Sequence, residues 1–339
     1  MRRGAARERV DPRRVLLVAA RRRDLPRGVC AIRVAIDTTP LLQTRAGTAR
    51  YVRGLLGALD VDVVPLSYPA TSRLRTVVAD ATWYPRLRAP RRADVLHCPT
   101  FRGPFRSRTP LVVTVHDLAV LRYPEWFNRW TRTYSRFAVP RVVQAAARVI
   151  VVSEFTGREV AGLLGVPEGK IRVVPNAVED VFVPEGPRAR GDYILAVGTL
   201  EPRKNLARVA AAVDGELRVV GARGWGGVDP PPNVTWLGDM SDEDLAAEYR
   251  GASCLVYASL YEGFGIPVAE ALACGCPIVT SAGTAMAEVA GSDATYVDPT
   301  DVDSIREGIA RAFRPQPRRI GSWSEVAERT RRVYEEVAG

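Results

Sequence analysis

The sequence predicts an α/β chain of two halves, each a parallel sheet covered by helices on both faces. Three observations predict it. From Arg33 onward, short apolar runs of strand length alternate with amphipathic stretches of helix length, which is the pattern of a parallel sheet buried on both sides. A stretch rich in Pro, Gly and charge, Pro184–Gly191, interrupts that alternation before a second one begins. The 339 residues are enough for two domains, and 47% hydrophobic with 25% charged residues is ordinary globular composition.

In the first half, Arg33–Ile36, Val61–Leu66, Asp94–His97, Leu111–Val115 and Val149–Val152 are expected to be strands. Tyr51–Leu59 and about Trp126–Arg148 are expected to be helices. In the second half a strand at Tyr193–Val197 leads to a helix at Leu206–Val213, then to strands at Leu217–Val220 and Val234–Leu237. A helix at Asp242–Arg250, a strand at Cys254–Ala258, a helix at Pro267–Cys274 and a strand at Pro277–Thr280 complete it. The expected organisation is a basic tail at 1–30, a first Rossmann-like domain at 31–183, a linker at 184–191, a second Rossmann-like domain at 192–315, and a C-terminal helix at 316–339 packing back on the first domain. Ligands of such sheets bind at the carboxyl ends of the strands, so a cleft shared by the two halves is the expected site.

The formal net charge of +10 is unevenly distributed. Residues 1–30 hold ten arginines against Glu8, Asp11 and Asp24, so this segment supplies +7 and the rest of the chain only +3. It is not a secretory signal, because Val15–Ala20 is too short an apolar stretch and runs into Arg21-Arg22-Arg23. Three readings stay open for it: a solvated tail, a basic arm for nucleic acid or anionic lipid, and sequence upstream of the true start. A nearly neutral body argues against nucleic acid as a partner. No run approaches the ~18–20 apolar residues of a membrane-spanning helix. Five cysteines, an odd number in a chain this large, do not suggest a disulfide framework and point to a reducing cytoplasm.

The second half carries the chemistry. Gly198-Thr199-Leu200-Glu201-Pro202-Arg203-Lys204-Asn205 lies between a strand and a helix, and one of the chain's two lysines falls here. Glycine permits close backbone approach, and Arg203 with Lys204 sets two cations where a helix start already favours an anion. That suits a diphosphate held without a metal; a surface turn with two solvated charges is the alternative. The spacing is not that of a nucleotide-hydrolase phosphate loop.

A second element, Ser259-Leu260-Tyr261-Glu262-Gly263-Phe264-Gly265-Ile266-Pro267-Val268-Ala269-Glu270, runs from a strand end through a Gly-rich turn into a helix suited to Pro at its start and Gly275 past its end. Glu262 and Glu270 can both face the cleft mouth with the amides of Gly263 to Ile266. Carboxylates accept hydrogen bonds from sugar hydroxyls and amides serve phosphate oxygens, so the element can address both parts of a sugar nucleotide. For Glu270 the alternative is a helix-start carboxylate acting on the dipole.

Two glutamates with seven residues between them, following a Gly-rich loop with Arg-Lys, resemble the retaining nucleotide-sugar glycosyltransferases of family 4, which have the two-domain GT-B fold. Val115-His116-Asp117-Leu118, Val152-Ser153-Glu154-Phe155-Thr156, Val174-Pro175-Asn176-Ala177-Val178 and Glu288-Val289-Ala290-Gly291 extend the resemblance from about Ile32 to the C-terminus. It implies that Glu262 holds donor-sugar hydroxyls, Glu270 the ribose, and Arg203 and Lys204 the diphosphate. Gly198, Gly263, Phe264, Gly265 and Ile266 complete the implied donor site. His116 would then lie near the donor sugar and acceptor, with Asp117 beside it. The loop Gly47-Thr48-Ala49-Arg50-Tyr51 occupies the place of the family's Gly-x-Gly turn, with Ala49 in place of the second glycine. Taken alone, His116 and His97 are equally well read as strand-end histidines satisfied by neighbouring carbonyls. Cys274-Gly275-Cys276 has no second pair at ligand spacing, so no metal is expected.

The stretch Glu125–Val139 puts Trp126, Trp130, Tyr134 and Phe137 on one helical face and Arg129, Arg132 and Arg136 on another. Either the aromatics pack on the core, or the helix lies in a membrane interface and the acceptor is lipid-linked. The expected function is transfer of a hexose, first mannose from GDP-mannose, to a glycan or glycolipid at the inner face of a membrane, with no cofactor. The alternatives are an enzyme making a small soluble glycoside, and an idle sugar-nucleotide-binding protein.

Overall fold

The computed structural model describes residues 32–43, 47–69, 72–222 and 233–339. The basic segment 1–30, and Cys30 with it, lies outside the described residues.

Two six-stranded sheets form the frame, with strand orders β2-β1-β3-β4-β5-β6 and β12-β11-β10-β7-β8-β9. In the first, β1 (Arg33–Asp37) pairs in parallel with β2 (Asp62–Leu66) and β3 (Val95–Cys98), followed by β4 (Leu111–Val115), β5 (Arg148–Val151) and β6 (Ile171–Val173). In the second, β7 (Tyr193–Val197) lies between β8 (Glu216–Val220) and β10 (Cys254–Tyr257). β9 (Val234–Gly238), β11 (Ile278–Ser281) and β12 (Thr295–Val297) complete that sheet. In both sheets the first strand stands between neighbours that lead in opposite directions. This is the topological switch at which such sheets open a crevice. The expected α/β class with two parallel-sheet Rossmann-like domains is what the chain adopts.

The central strands form because they are apolar runs buried on both faces: every residue of β3, β4, β10 and β11 is buried, whereas the edge strands β2, β6 and β9 are only half-buried. By packing, the chain divides into one unit of residues up to Thr114, Ala138–Ile150 and Ala327–Gly339, and another of Val115–Phe137 and Val151–Val326. Within the first unit, the part of the helix Trp323–Ala338 from Ala327 onward is held against the sheet by Tyr334, whose hydroxyl lies 2.7 Å from Nδ1 of His97. The other ring nitrogen of His97 lies 2.9 Å from Oγ1 of Thr114, so this fully buried histidine is structural. Within the second unit, Pro184–Gly191 forms no helix or strand and is tied to the helix Asp242–Gly251, where Arg250 donates to the carbonyls of Pro187 at 2.7 Å and Val183 at 3.1 Å.

Two expected elements differ. The helix expected across about Trp126–Arg148 spans Arg129–Ala145: Pro124–Trp126 is a separate 3-10 turn, Phe127 is extended, and Asn128 accepts from the Thr131 amide at 3.0 Å to start the helix. Gly47 and Thr48 are not loop residues. They open the helix Gly47–Ala58, whose Ala49 is fully buried, so a second glycine with positive φ has no place there. Short strands at β6 and β12, the helix Glu154–Leu164 capped by Ser153, and the segment 73–86 were not expected from the sequence. Each is too short or too polar to carry a clear period.

Candidate active site

The site is built in the second unit, on the loops that leave the carboxyl ends of β7 and β10. Because those strands are neighbours, their loops meet. The Leu260 amide donates to the Arg203 carbonyl at 2.8 Å, and Nδ2 of Asn205 donates to the Ala258 carbonyl at 3.0 Å. Asn205 is the one described non-glycine residue with positive φ, at 57°, a conformation that asparagine tolerates and that this side-chain bond holds in place.

Around that junction the charged side chains close into a ring. Arg203, on the 3-10 turn Pro202–Lys204, donates through Nη1 to Oε2 of Glu262 at 2.7 Å. Lys204 donates through Nζ to Oε1 of Glu262 and to the Tyr257 hydroxyl, both at 2.5 Å. The Tyr257 hydroxyl in turn donates to Oε1 of Glu262 at 3.0 Å. Glu201 holds the other side of the guanidinium at 3.0 Å. Lys204 also sits 4.8 Å from the centre of the Tyr257 ring. Every partner is charged or polarised by a charge, which makes these the strong class of hydrogen bonds.

Burial would push the Glu262 carboxyl up, but the charges of Arg203 and Lys204 and the bonds from Lys204 and Tyr257 outweigh it and hold the group at about 2. Burial, with the adjacent Arg203, shifts Lys204 down against the pull of Glu262. Arg203 is pushed further up: burial opposes this, but Glu262, Asp117 and Glu201 prevail. The guanidinium is still one-fifth exposed (20%), against 10% for Lys204 and 9% for Glu262, so it is the cation most open to a ligand. Lys204 has three donors, of which two are engaged, and Arg203 keeps N–H groups beyond those used here.

The turn that follows Glu262 is tightly constrained. A Cβ on Gly263 would stand 1.7 Å from the His116 carbonyl oxygen, so only glycine fits between these backbones. The Gly263 carbonyl accepts from the hydroxyls of Ser153 at 2.7 Å and Thr156 at 3.0 Å. Ser153 also caps its own helix by accepting from the Thr156 amide at 3.0 Å. Gly265, at φ 95°, is the N-cap of the helix Ile266–Cys274 and packs close against Met286.

Of the sequence-derived candidates, the structure thus brings Arg203, Lys204 and Glu262 into direct contact and sets Gly198 against the Lys204 stem. The His116 backbone meets Gly263, and the Asp117 charge reaches Arg203. Phe264 is buried and Ile266 half-buried at the start of the helix. Glu270 stands apart: only 1% exposed, it accepts from the Tyr249 hydroxyl at 2.8 Å on the face where its helix packs against Asp242–Gly251. Gly47 and Thr48 belong to the first unit. Sequence reasoning missed Tyr257 and Glu201. Glu201 was visible as the acid two residues before Arg203, whereas Tyr257 reads simply as a buried strand residue. Among the described residues no group of His, Cys, Asp or Glu is arranged to hold a metal ion, and the described cysteines are buried free thiols.

Residues 13–182 match the family described as Glycosyltransferase Family 4, and residues 228–327 match the one described as Glycosyl transferases group 1. The chain belongs to glycosyltransferase family 4. The first of these matches begins at residue 13, inside the basic segment. This family 4 chain is 30% identical over 262 residues to O-antigen chain mannosyltransferase B of Escherichia coli, covering 69% of this chain and 67% of that protein. It is 30% identical to O-antigen chain mannosyltransferase RfbU of Salmonella typhimurium, with coverages of 58% and 59%. A third relative at 30% identity is the MMP alpha-(1->4)-mannosyltransferase of Mycolicibacterium hassiacum, with coverages of 67% and 66%. The matched stretch therefore spans about three fifths to two thirds of these proteins.

Among solved structures, sucrose-phosphate synthase from Thermosynechococcus elongatus superposes with a TM-score of 0.60 at 20% identity, covering 91% of this chain and 95% of that one. Anabaena Alr3699/HepE in complex with UDP and glucose does so at 0.60 and 14%, covering 90% and 95%. These likenesses establish the GT-B fold. Family 4 enzymes keep the anomeric configuration of the sugar they move, so this is a retaining glycosyltransferase.

Proposed function

We propose that this glycosyltransferase moves a hexose, mannose in the first instance, from a nucleoside diphosphate, GDP in the first instance, to a glycan or lipid-linked acceptor, without a metal ion. The observation that carries the reading is the Arg203–Glu262–Lys204 ring at the carboxyl ends of β7 and β10. It keeps one guanidinium and one ammonium charge a few ångströms apart with donors to spare, the arrangement that stabilises charge developing on a leaving diphosphate. The mannosyltransferase names of three relatives support the choice of sugar.

In this reading Glu262 does two things. It pre-orients both cations through its two oxygens, and it presents acceptor lone pairs to donor-sugar hydroxyls. The amides of Gly263 to Ile266 face phosphate oxygens, and Glu270 serves the ribose from beside Tyr249. His116 and Asp117 border the transferred sugar. The acceptor oxygen adds on the face the diphosphate leaves, and its proton goes to a donor phosphate oxygen, so no carboxylate nucleophile is needed; paired-carboxylate hydrolases work differently.

A membrane contact belongs to the same proposal. On the helix Arg129–Ala145, Trp130 is 39% and Phe137 50% exposed, and Arg129, Arg132 and Arg136 are all exposed beside them. Among the described residues no helix is long and apolar enough to cross a bilayer.

Thermal-shift titration with GDP-, UDP- and ADP-linked mannose and glucose, with and without EDTA, tests the reading. A GDP-sugar is expected to give the largest stabilisation, unchanged by EDTA. No shift with any sugar nucleotide would overturn it.

A further inference from the structure

A cavity lies in the first unit, at the carboxyl end of β2. It has a volume of about 510 Å³ and is open to solvent, and Leu66, Ser67, Trp83, Arg86, Leu87 and Arg88 are among the residues that line it. That volume falls within the range of small-ligand sites and admits a saccharide.

Its walls are fixed from beneath by one buried turn. Thr38 donates to the Leu66 carbonyl through its amide at 2.6 Å and its hydroxyl at 3.0 Å. Thr39 accepts from the Tyr68 amide at 3.0 Å. Asp37, fully buried at the end of β1, accepts from the Thr39 amide at 2.9 Å and interacts with the hydroxyl of the buried Tyr84, next in sequence to Trp83. The wall that bears Trp83 is a π turn, Ala79–Trp83, a rare form that concentrates at functional sites. Its one acid, Asp80, is 2% exposed and neutralised from inside by Arg102 at 3.1 Å. Trp83 is braced by Tyr68 and Tyr84, with ring centres at 5.6 and 4.7 Å.

The two charged side chains that line the cavity, Arg86 and Arg88, are both cationic. Residues 73–92 contain six arginines and Asp80 as the sole acid. Arg86 bonds only a backbone carbonyl, that of Thr82 at 3.2 Å, and among the described residues neither Arg86 nor Arg88 has a carboxylate partner. Guanidinium forks match phosphate oxygens in pairs, and an indole offers an apolar face with a polar edge.

We propose that this cavity binds a phosphorylated saccharide, with Trp83 against the sugar and Arg86 and Arg88 on the phosphate. As the identity of the acceptor, this rests on the glycosyltransferase reading: the acceptor then carries a phosphosugar that this cavity grips. The chemistry is the same whether the phosphosugar is free or a lipid headgroup.

The test needs no turnover, so it stands apart from the assignment of the transfer reaction. Titration calorimetry of the whole protein with mannose 6-phosphate is expected to show binding at least about tenfold tighter than with methyl α-mannoside, weakening with salt. Arg86→Ala with Arg88→Ala, both exposed and so harmless to the fold, should reduce that binding about tenfold or more, while Lys204→Ala leaves it unchanged. A parallel arm uses phosphatidylcholine vesicles with and without phosphatidylinositol, whose headgroup, a phosphorylated cyclitol, presents the same pairing of a hydroxylated ring with a phosphate. Selective vesicle binding that needs Arg86 and Arg88 supports the proposal and names the lipid as the source; binding of mannose 6-phosphate supports the free form. No preference for the phosphorylated ligand in either arm overturns it. So does binding that survives the double substitution and is lost in Lys204→Ala.

Discussion

Lys204 and Glu262 form an ion pair at 2.5 Å although they come from loops after different strands and lie 58 residues apart. The parallel pairing of β7 with β10 makes this possible, and it sets the working geometry of the site. One carboxylate holds both cations, so removing any member should change charge balance as well as chemistry.

Glu262→Ala leaves Arg203 and Lys204 adjacent without their shared counter-charge. Stability is expected to fall by about 3 kcal/mol, the low end of the cost of breaking a buried ion pair, with the protein still folded. Inorganic pyrophosphate should then raise the melting temperature of the variant more than that of the wild type, because it replaces the lost negative charge. Scanning calorimetry with and without pyrophosphate measures this, and an equal shift in both proteins would refute it.

Gly263→Ala places a methyl group 1.7 Å from the His116 carbonyl oxygen, a clash of backbone with backbone that a side-chain rotation cannot relieve. A large loss of stability, beyond about 3 kcal/mol, is expected together with loss of transfer. Gly57→Ala serves as the control. It lies exposed in the helix Gly47–Ala58 with nothing near its Cβ, and should stabilise by about 0.5–1 kcal/mol. Denaturant melts of the two variants compare them directly.

Two buried carboxyls give stability opposite pH dependences. Glu262 is held at about 2 in the fold against 4.5, so its contribution is complete above 4.5 and is lost as pH falls from there toward 2. Burial raises Asp37 to about 6 from 3.8, so the native state binds the extra proton: its contribution is complete below 3.8 and is lost as pH rises through 6. Asp37→Asn should therefore remove a decline in stability between pH 4 and 6, while Glu262→Gln should flatten the acid limb below pH 4.5. Chemical denaturation across pH would contradict this if the Asp37→Asn profile paralleled the wild type.

Much of this was legible in the sequence. The strands were, because parallel strands buried on both faces are apolar runs, and so was the pairing of chemistry within each loop: Arg203 with Lys204, Glu262 with its glycines. What was not legible is what strand order creates. That Tyr257 would bridge Lys204 and Glu262, or that Ser153 and Thr156 would hold the Gly263 carbonyl, depends on which loops become neighbours. Gly47 and Thr48 misled for a related reason: a glycine near a strand end suggests a turn, yet the next residues, Ala49, Tyr51 and Val52, are buried on a helix face. The aromatic row of the first half was half right, since Trp126 stacks on Tyr123 at 4.2 Å before the helix begins, leaving Trp130 stacked on Tyr134 at 6.0 Å within it.

Binding to vesicles containing phosphatidylglycerol is expected to weaken when residues 1–30 are deleted, because seven of the ten net charges go with them. If the helix Arg129–Ala145 makes the contact that matters for a lipid-linked acceptor, the truncated protein should keep a residual binding that Arg129→Ala, Arg132→Ala and Arg136→Ala together abolish. Co-sedimentation with vesicles reads both effects. Unaltered binding after both changes would refute electrostatic attachment and favour a soluble acceptor.

In the proposed function, Arg203, Lys204 and Glu262 act together on the diphosphate of a sugar nucleotide. The most direct measurement is the rate of nucleoside diphosphate release from GDP-, UDP- and ADP-sugars by the wild type and by Lys204→Ala, in EDTA. The wild type is expected to consume one of these donors without added metal, and Lys204→Ala to do so at least about a hundredfold more slowly while remaining folded. Release by Lys204→Ala at the wild-type rate, or wild-type release that requires a divalent cation, would contradict it.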